Sequence, residues 1–226
     1  MEKAYKCELE SNNTKNTATK MKVGTAYTGY LGSGFGSIHD NVDGQDLYSV
    51  ELKKGQAYKL TFDKAEGTTV IKLLGKNVDL GTLWPSVESN DFCLDANQTF
   101  VAPYTGTYYL NIYNYSNAQY KYTTKITNVT PKTPSLSSVK AGNNAFTAKW
   151  KKADCTGYQI QYATDKNFKN MKTVNISGKN KVSATVKKLA SNKKYYVRIR
   201  AYKKVDNKYA YSSWSKAKTV TTKNNG

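Results

Sequence analysis

The chain has 226 residues, of which 38% are hydrophobic, and a mean hydropathy of −0.69. No stretch approaches the roughly 18 apolar residues that a spanning helix needs, which excludes helical insertion into a membrane. Charge is divided unevenly: residues 1–130 hold 13 Lys and 13 Asp or Glu, whereas residues 131–226 hold 20 Lys and two Arg against three Asp, so the whole net charge of +19 belongs to the second part.

The first ten residues, MEKAYKCELE, lack the apolar core of a secretion signal, which fits either a protein made without one or a mature fragment. Cys7, Cys93 and Cys155 are too scattered for a disulfide framework or a zinc site, both of which use more or closer cysteines. A Cys7–Cys93 bridge and small buried thiols are both open readings.

Long amphipathic helices are missing from the pattern. Short alternating segments rich in Tyr, Val, Ile and Thr recur between clusters of Gly, Asn, Asp and Ser, the signature of β-sandwiches. The first part reads as strands at 26–31, 47–52, 57–62, 69–74, 99–102, 106–113 and 120–126. The second reads as strands at 136–140, 145–151, 157–163, 172–176, 181–189, 195–203 and 216–222. Between them Pro131 and Pro134 withhold two ladder donors and favour an extended backbone. The expected fold class is all-β, two tandem sandwiches spanning 1–130 and 131–226.

In the second domain, Phe146, Ala148 and Trp150 alternate with Thr147 and Lys149, and Tyr195, Val197, Ile199 and Ala201 alternate with Tyr196, Arg198, Arg200 and Tyr202. A period of two puts the first of each set in a core and the second on an outer face. Trp150, the run Gly157-Tyr158-Gln159-Ile160-Gln161-Tyr162, the spacing Leu189 to Tyr195 and the segment Tyr211-Ser212-Ser213-Trp214-Ser215 resemble a fibronectin type III domain. The resemblance implies an immunoglobulin-like sandwich, a tyrosine corner at Tyr195 and a last strand opening near Tyr211. An Arg-Gly-Asp tripeptide is absent from the sequence. Such a module serves as a spacer or a binding surface.

The first domain carries three clusters in order: Glu8-Leu9-Glu10-Ser11-Asn12-Asn13, Asp43-Gly44-Gln45-Asp46 before a strand, and Gly106-Thr107-Tyr108-Tyr109-Leu110. Carboxylates crowded together repel unless a cation joins them, and Asn amides add the hard oxygens that Ca²⁺ prefers. The order of these clusters resembles the bacterial pre-peptidase C-terminal domain, which includes the collagen-binding domains of clostridial collagenases. That resemblance implies a jelly-roll-like sandwich and a Ca²⁺ site made by Glu8, Glu10, Asn12, Asn13, the Gly29 carbonyl, Asp43 and Asp46. Asn13 stands where the family has Asp, which removes one ligand charge and implies weaker affinity. Tyr113 and Tyr115 match two collagen-contacting tyrosines of the relatives, while Asn111 replaces a neighbouring apolar residue. By alternation, Tyr109, Asn111, Tyr113 and Tyr115 form the outer face if Tyr108, Leu110 and Ile112 are core. Exposed tyrosines supply contact area at small entropic cost; cross-strand pairing is the alternative use.

Catalysis is not expected. His39 is the one histidine, GxSxG and HExxH are absent, and the glycine run at 32–36 lacks the Lys of a phosphate loop. Asp43 and Asp46 could act as an acid–base pair on a glycoside, but two small sandwiches leave no evident deep cleft. The lysine-rich second domain would concentrate polyanions over a Debye length of about 8 Å, with Tyr196, Arg198, Arg200 and Tyr202 as the contact; the alternative is a solvated, solubilising surface. With two arginines, specific base reading of nucleic acid is not expected. The combined expectation is a monomeric, non-catalytic adhesion or targeting region of a bacterial secreted or cell-surface protein. Its partner would be an extracellular polymer: collagen-like protein, glycan or cell-wall polyanion. A carbohydrate-binding module stacking sugars on Trp84, Tyr113 and Tyr115 and a pure spacer are the rival readings.

Overall fold

The computed structural model describes residues 6–7, 14–31, 45–64, 69–75, 93–114 and 120–224. The chain separates into two compact units, Met1–Val129 and Thr130–Gly226. All regular structure among the described residues is β.

The first unit contains β1 (Lys6–Cys7), β2 (Thr19–Lys20), β3 (Ala26–Leu31), β4 (Gln45–Leu52), β5 (Ala57–Lys64), β6 (Thr69–Leu74), β7 (Cys93–Leu94), β8 (Thr99–Val101), β9 (Gly106–Asn114) and β10 (Tyr120–Asn128). They form two five-stranded sheets, β1-β3-β10-β5-β8 and β2-β4-β9-β6-β7. Pairing is antiparallel except for β1 with β3 and β2 with β4. Tyr27, Tyr48, Val50, Leu60, Leu73, Tyr108, Leu110, Ile112, Tyr122 and Ile126 make one core that draws on both sheets. The alternation of Tyr108, Leu110 and Ile112 therefore points inward, as read from the sequence.

The second unit contains β11 (Leu136–Gly142), β12 (Ala145–Trp150), β13 (Gly157–Ala163), β14 (Lys172–Ser177), β15 (Ser183–Val186), β16 (Lys194–Val205), β17 (Lys208–Tyr211) and β18 (Lys218–Thr221). One sheet is β11-β12-β15; the other is β14-β13-β16-β17, with β18 also pairing with β16. Their shared core is Phe146, Ala148, Trp150, Tyr158, Ile160, Val186, Tyr195, Val197, Ile199 and Ala201. The two short strands β1 and β2, together with β7 and β17, have no counterpart among the expected segments, because two to four residues are too few to display a period. The expected last strand opening at Tyr211 is corrected: Tyr211 closes β17, and residues 212–217 run on without ladder structure before β18.

One local device recurs. Tyr27, Tyr58, Tyr158 and Tyr195 each stand second in a strand, and each phenol oxygen accepts from the backbone N–H five residues earlier: Lys22 at 3.0 Å, Lys53 at 3.1 Å, Ala153 at 3.0 Å and Ala190 at 3.2 Å. A buried N–H at the bend before a strand must find an acceptor. A tyrosine supplies one while its ring enters the core. Tyr195 is thus the tyrosine corner expected of it, and the first unit uses the same contact.

Candidate functional site

Of the seven expected calcium ligands, Glu8, Glu10, Asn12, Asn13 and Asp43 lie outside the described residues, as do Trp84 and Tyr115. Gly29 and Asp46 are described, and both meet Tyr122. Gly29 in β3 is the register partner of Tyr122 in β10. Asp46 is the second residue of β4, one residue before the start expected at Leu47, and is 0% exposed. Its Oδ2 accepts a short hydrogen bond from the Tyr122 hydroxyl, which lies 2.7 Å from the Tyr48 hydroxyl. Because β4 and β10 belong to different sheets, this carboxyl spans the sandwich interior. A buried carboxylate next to phenol oxygens presents the oxygen donors that a hard cation takes. Among the described residues no three His, Cys, Asp or Glu side chains converge, so the described part of the set is Asp46 and Gly29.

The outer face of β9 differs from an open tyrosine ladder. Asn111 is buried, and Tyr109 and Tyr113 are half-buried. The register brings Leu47 of β4 opposite Asn111 and Leu74 of β6 opposite Tyr109. Both leucines are fully buried although they point away from the inter-sheet core. β9 lies between β4 and β6 in its sheet, so its outer side chains have neighbours on both sides. A free lattice of rings along one strand is corrected to a half-covered surface in which Tyr113 retains partial exposure. Lys15 Nζ lies 5.6 Å from the Tyr109 ring centre.

The most complete constellation lies on the outer face of the second unit's larger sheet. Arg198 and Arg200 project from β16 on the side opposite Val197 and Ile199, as alternation requires. The Arg198 guanidinium carbon lies 4.0 Å from the Phe168 ring centre and 4.7 Å from that of Trp214; the Arg200 carbon lies 3.8 Å from Tyr211 and 4.4 Å from Trp214. Trp214 is the shared rung, giving the order Phe168, Arg198, Trp214, Arg200, Tyr211. Cross-strand partners on β13 fix the other edges: Gln161 Oε1 accepts from Arg198 Nε at 3.0 Å and Nη2 at 2.7 Å, and Gln159 Oε1 accepts from Arg200 Nε at 2.8 Å. Gln159 in turn donates to Asn175 Oδ1 on β14 at 2.8 Å.

The backbone that carries Trp214 is held by serines. Ser212 and Ser215 N–H groups donate to the carbonyls of Ala201 and Ile199, while their hydroxyl oxygens accept from the N–H groups of those same two residues at 3.0 and 3.1 Å. Each serine thus replaces a strand partner for β16 and aims Trp214 across the arginines. Phe168 arrives from a turn in the left-handed region, φ 60°, which is costly for an aromatic residue. Asp165 Oδ1 holds that turn by accepting from the N–H groups of Asn167 and Lys169.

Burial lowers the pKa of both arginines; Arg200 is lowered further by Arg198 and raised by Tyr211. Neither arginine forms an ion pair with a carboxylate among the described residues, where the second unit has one pair, Lys203 with Asp154 at 3.9 Å. Tyr196 is half-buried, with Lys194 Nζ 5.3 Å from its ring centre. Tyr202, expected on the outer face, is buried there: its ring meets Tyr209 and Tyr211, and its hydroxyl fills the space that a Cβ on Gly157 would need. The expected polyanion face is narrowed accordingly to the two arginines, with Tyr202 as a packing residue. The sequence reading missed Trp214, Tyr211, Gln159 and Gln161 as partners: glutamines and arginines each alternate at period two, and two rings three residues apart follow the arginines, but the segments are separated by two other strands and only the β13–β16 pairing joins them. Phe168 had no such signal, since a turn supplies it.

The model of the fibronectin type III domain matches residues 129–218. A Kelch domain-containing protein from Sulfurisphaera tokodaii is 34% identical over 77 residues, 34% of this chain; the chain spans about a tenth of that protein's length. Among solved structures, the FN5 domain of Drosophila Lar is 18% identical and covers 41% of this chain and 97% of its own, with a TM-score of 0.34. A fibronectin type III domain of the human KIAA0970 protein is 16% identical and covers 43% and 75%, TM-score 0.33. A β-1,2-glucanase from Parabacteroides distasonis is 13% identical over 79% of this chain and 30% of its own, TM-score 0.37; at these scores none of the three carries an argument about activity. For the first unit, the resemblance to pre-peptidase C-terminal domains rests on its sequence clusters alone. With its β11-β12-β15 and β14-β13-β16-β17 sheets, the Tyr195 corner and the family match, the stretch 129–218 is a fibronectin type III domain.

Proposed function

We propose that the chain is a non-catalytic adhesion or targeting region of a bacterial secreted or cell-surface protein, holding whatever is attached to it near an extracellular polymer. The observation that carries the reading is the concentration of the entire +19 charge on a fibronectin type III sandwich whose two arginines are stacked, half-exposed and unopposed by carboxylates among the described residues. Such a surface raises the local concentration of polyanions. The first unit, in this reading, is a pre-peptidase C-terminal-like sandwich in which Asp46 and the Gly29 carbonyl join Glu8, Glu10, Asn12, Asn13 and Asp43 around Ca²⁺, and Tyr113 with Tyr115 contacts the polymer.

Retention of the full chain on collagen, polygalacturonate, chitin and peptidoglycan tests the proposal. Binding to any of these that weakens as salt rises supports it, because exposed charge pairs are screened. Loss of retention in the double substitution Tyr113→Ala, Tyr115→Ala assigns the contact to the first unit. Absence of retention on every polymer at low salt leaves the spacer reading in its place. For the calcium part, added Ca²⁺ is expected to raise the thermal midpoint and chelator to lower it, since a ligand of the folded form adds stability. Indifference to both removes it.

A further inference from the structure

Resting on that reading, we infer that the stacked Arg198–Trp214–Arg200 face of the second unit is the docking site for an acidic polysaccharide, whose carboxylates meet the outward edges of the two guanidiniums. Three features of the face converge on this ligand class.

The first is donor supply. A guanidinium has five N–H donors. Gln161 takes two of those on Arg198, and Gln159 takes one on Arg200. No carboxylate among the described residues lies within ion-pair distance of the rest. Arginine edges left over in this way match carboxylate geometry.

The second is preorganisation. Each guanidinium is clamped between rings and anchored at Nε, so little side-chain freedom is lost when an anion arrives. Two residues apart on one strand, their Cα atoms are spaced by about 6.7 Å. Both guanidinium carbons lie within 5 Å of one Trp214 ring centre, so the two cationic edges form a fixed pair suited to an anion that repeats along a stiff chain.

The third feature excludes a rival. Single-stranded nucleic acid is held by bases stacking on aromatic faces, but Trp214 lies against both arginines, Phe168 is buried beneath Arg198, and the Tyr211 ring is shared between Arg200 and Tyr209. Recognition of carboxylates along a polysaccharide needs only the guanidinium edges. Around them the lysine surface contributes attraction at longer range.

The test measures the Kd of the folded full chain for polygalacturonate, with neutral galactan and single-stranded DNA as comparators. The double substitution Arg198→Lys, Arg200→Lys keeps every charge and removes the fork geometry; it is expected to raise the polygalacturonate Kd at least about tenfold. Lys149→Gln with Lys187→Gln removes two charges elsewhere and is expected to change it by less than about threefold. If the arginine pair melts below the assay temperature, the two single Arg→Lys variants are read in its place. Polygalacturonate binding that is unchanged by the arginine variants overturns the docking site while leaving polymer binding intact. No retention of the native chain on any polymer overturns both. DNA bound as tightly as polygalacturonate, and lost by the same variants, overturns the ligand class.

Discussion

Two sandwiches of similar size solve the same folding problem with opposite electrostatics. The first unit has no net charge over residues 1–130 and takes a carboxyl into its core, where Asp46 ties β4 to Tyr122 of the facing sheet. The second carries +19, keeps its core apolar and aromatic, and holds its two guanidiniums outside, stacked on rings. Both start strands with the same tyrosine contact. The contrast teaches that the sandwich frame tolerates a polar group on either side of a sheet, provided its hydrogen-bonding partners come with it.

The largest expected effects come from breaking each unit at the feature that distinguishes it. Asp46→Ala removes the buried acceptor of Tyr122 and is expected to cost about 3 kcal/mol. Urea unfolding followed by tyrosine near-ultraviolet dichroism reads this, and a loss below about 1 kcal/mol would mean the carboxyl is not a core tie. In the second unit, Gly157→Ala forces a Cβ to within 2.5 Å of both the Ile176 carbonyl and the Tyr202 hydroxyl. Overpacking against backbone costs about 1–3 kcal/mol, and Trp150 and Trp214 fluorescence reports it.

A smaller change tests what the units share. Tyr58→Phe and Tyr195→Phe each delete one acceptor for a backbone N–H and are each expected to cost about 1 kcal/mol. A clear inequality between them would show that the contact is not one device used twice.

Alkali probes both cores at once. Burial raises the phenol pKa of Tyr58 and Tyr108 in the first unit and of Tyr158 and Tyr162 in the second. Below the ordinary value of 10.0 these groups are neutral in both states and their contribution is fully present. As pH rises above it the unfolded chain loses protons that the folded chain keeps, so stability falls. The last, buried fraction of tyrosinate absorbance is expected to rise together with loss of far-ultraviolet dichroism above that pH. Complete tyrosine ionisation with unchanged dichroism would contradict the burial.

The smallest expected effect separates the units again. Added salt screens self-repulsion in the cationic unit and has little to act on in the neutral one. It is expected to stabilise the second by roughly 1 kcal/mol or less, read in a Trp84→Phe background, where Trp150 and Trp214 report the second unit alone, as an upward shift of the tryptophan-detected midpoint.

Sequence alone determined the class of fold, and the reason is local. Alternation in Tyr108, Leu110 and Ile112, in Phe146, Ala148 and Trp150, and in Tyr195 through Ala201 follows from the two-residue pleat, so the inward sets were legible before any strand was paired. The uneven charge and the proline break were legible for the same reason, since each depends on residue identity alone. What touches what was decided by the tertiary structure. Only the packing of one sheet on the other brings Asp46 to Tyr122, only the pairing of β10 with β3 sets Gly29 beside that tyrosine, and only the register of β13 with β16 puts Gln159 and Gln161 against the arginines. Phe168 shows the limit best: it lies 30 residues before the arginine it stacks on, in a turn of strained backbone. A contact across that distance is made by strand pairing and chain reversal, neither of which is written in any single residue.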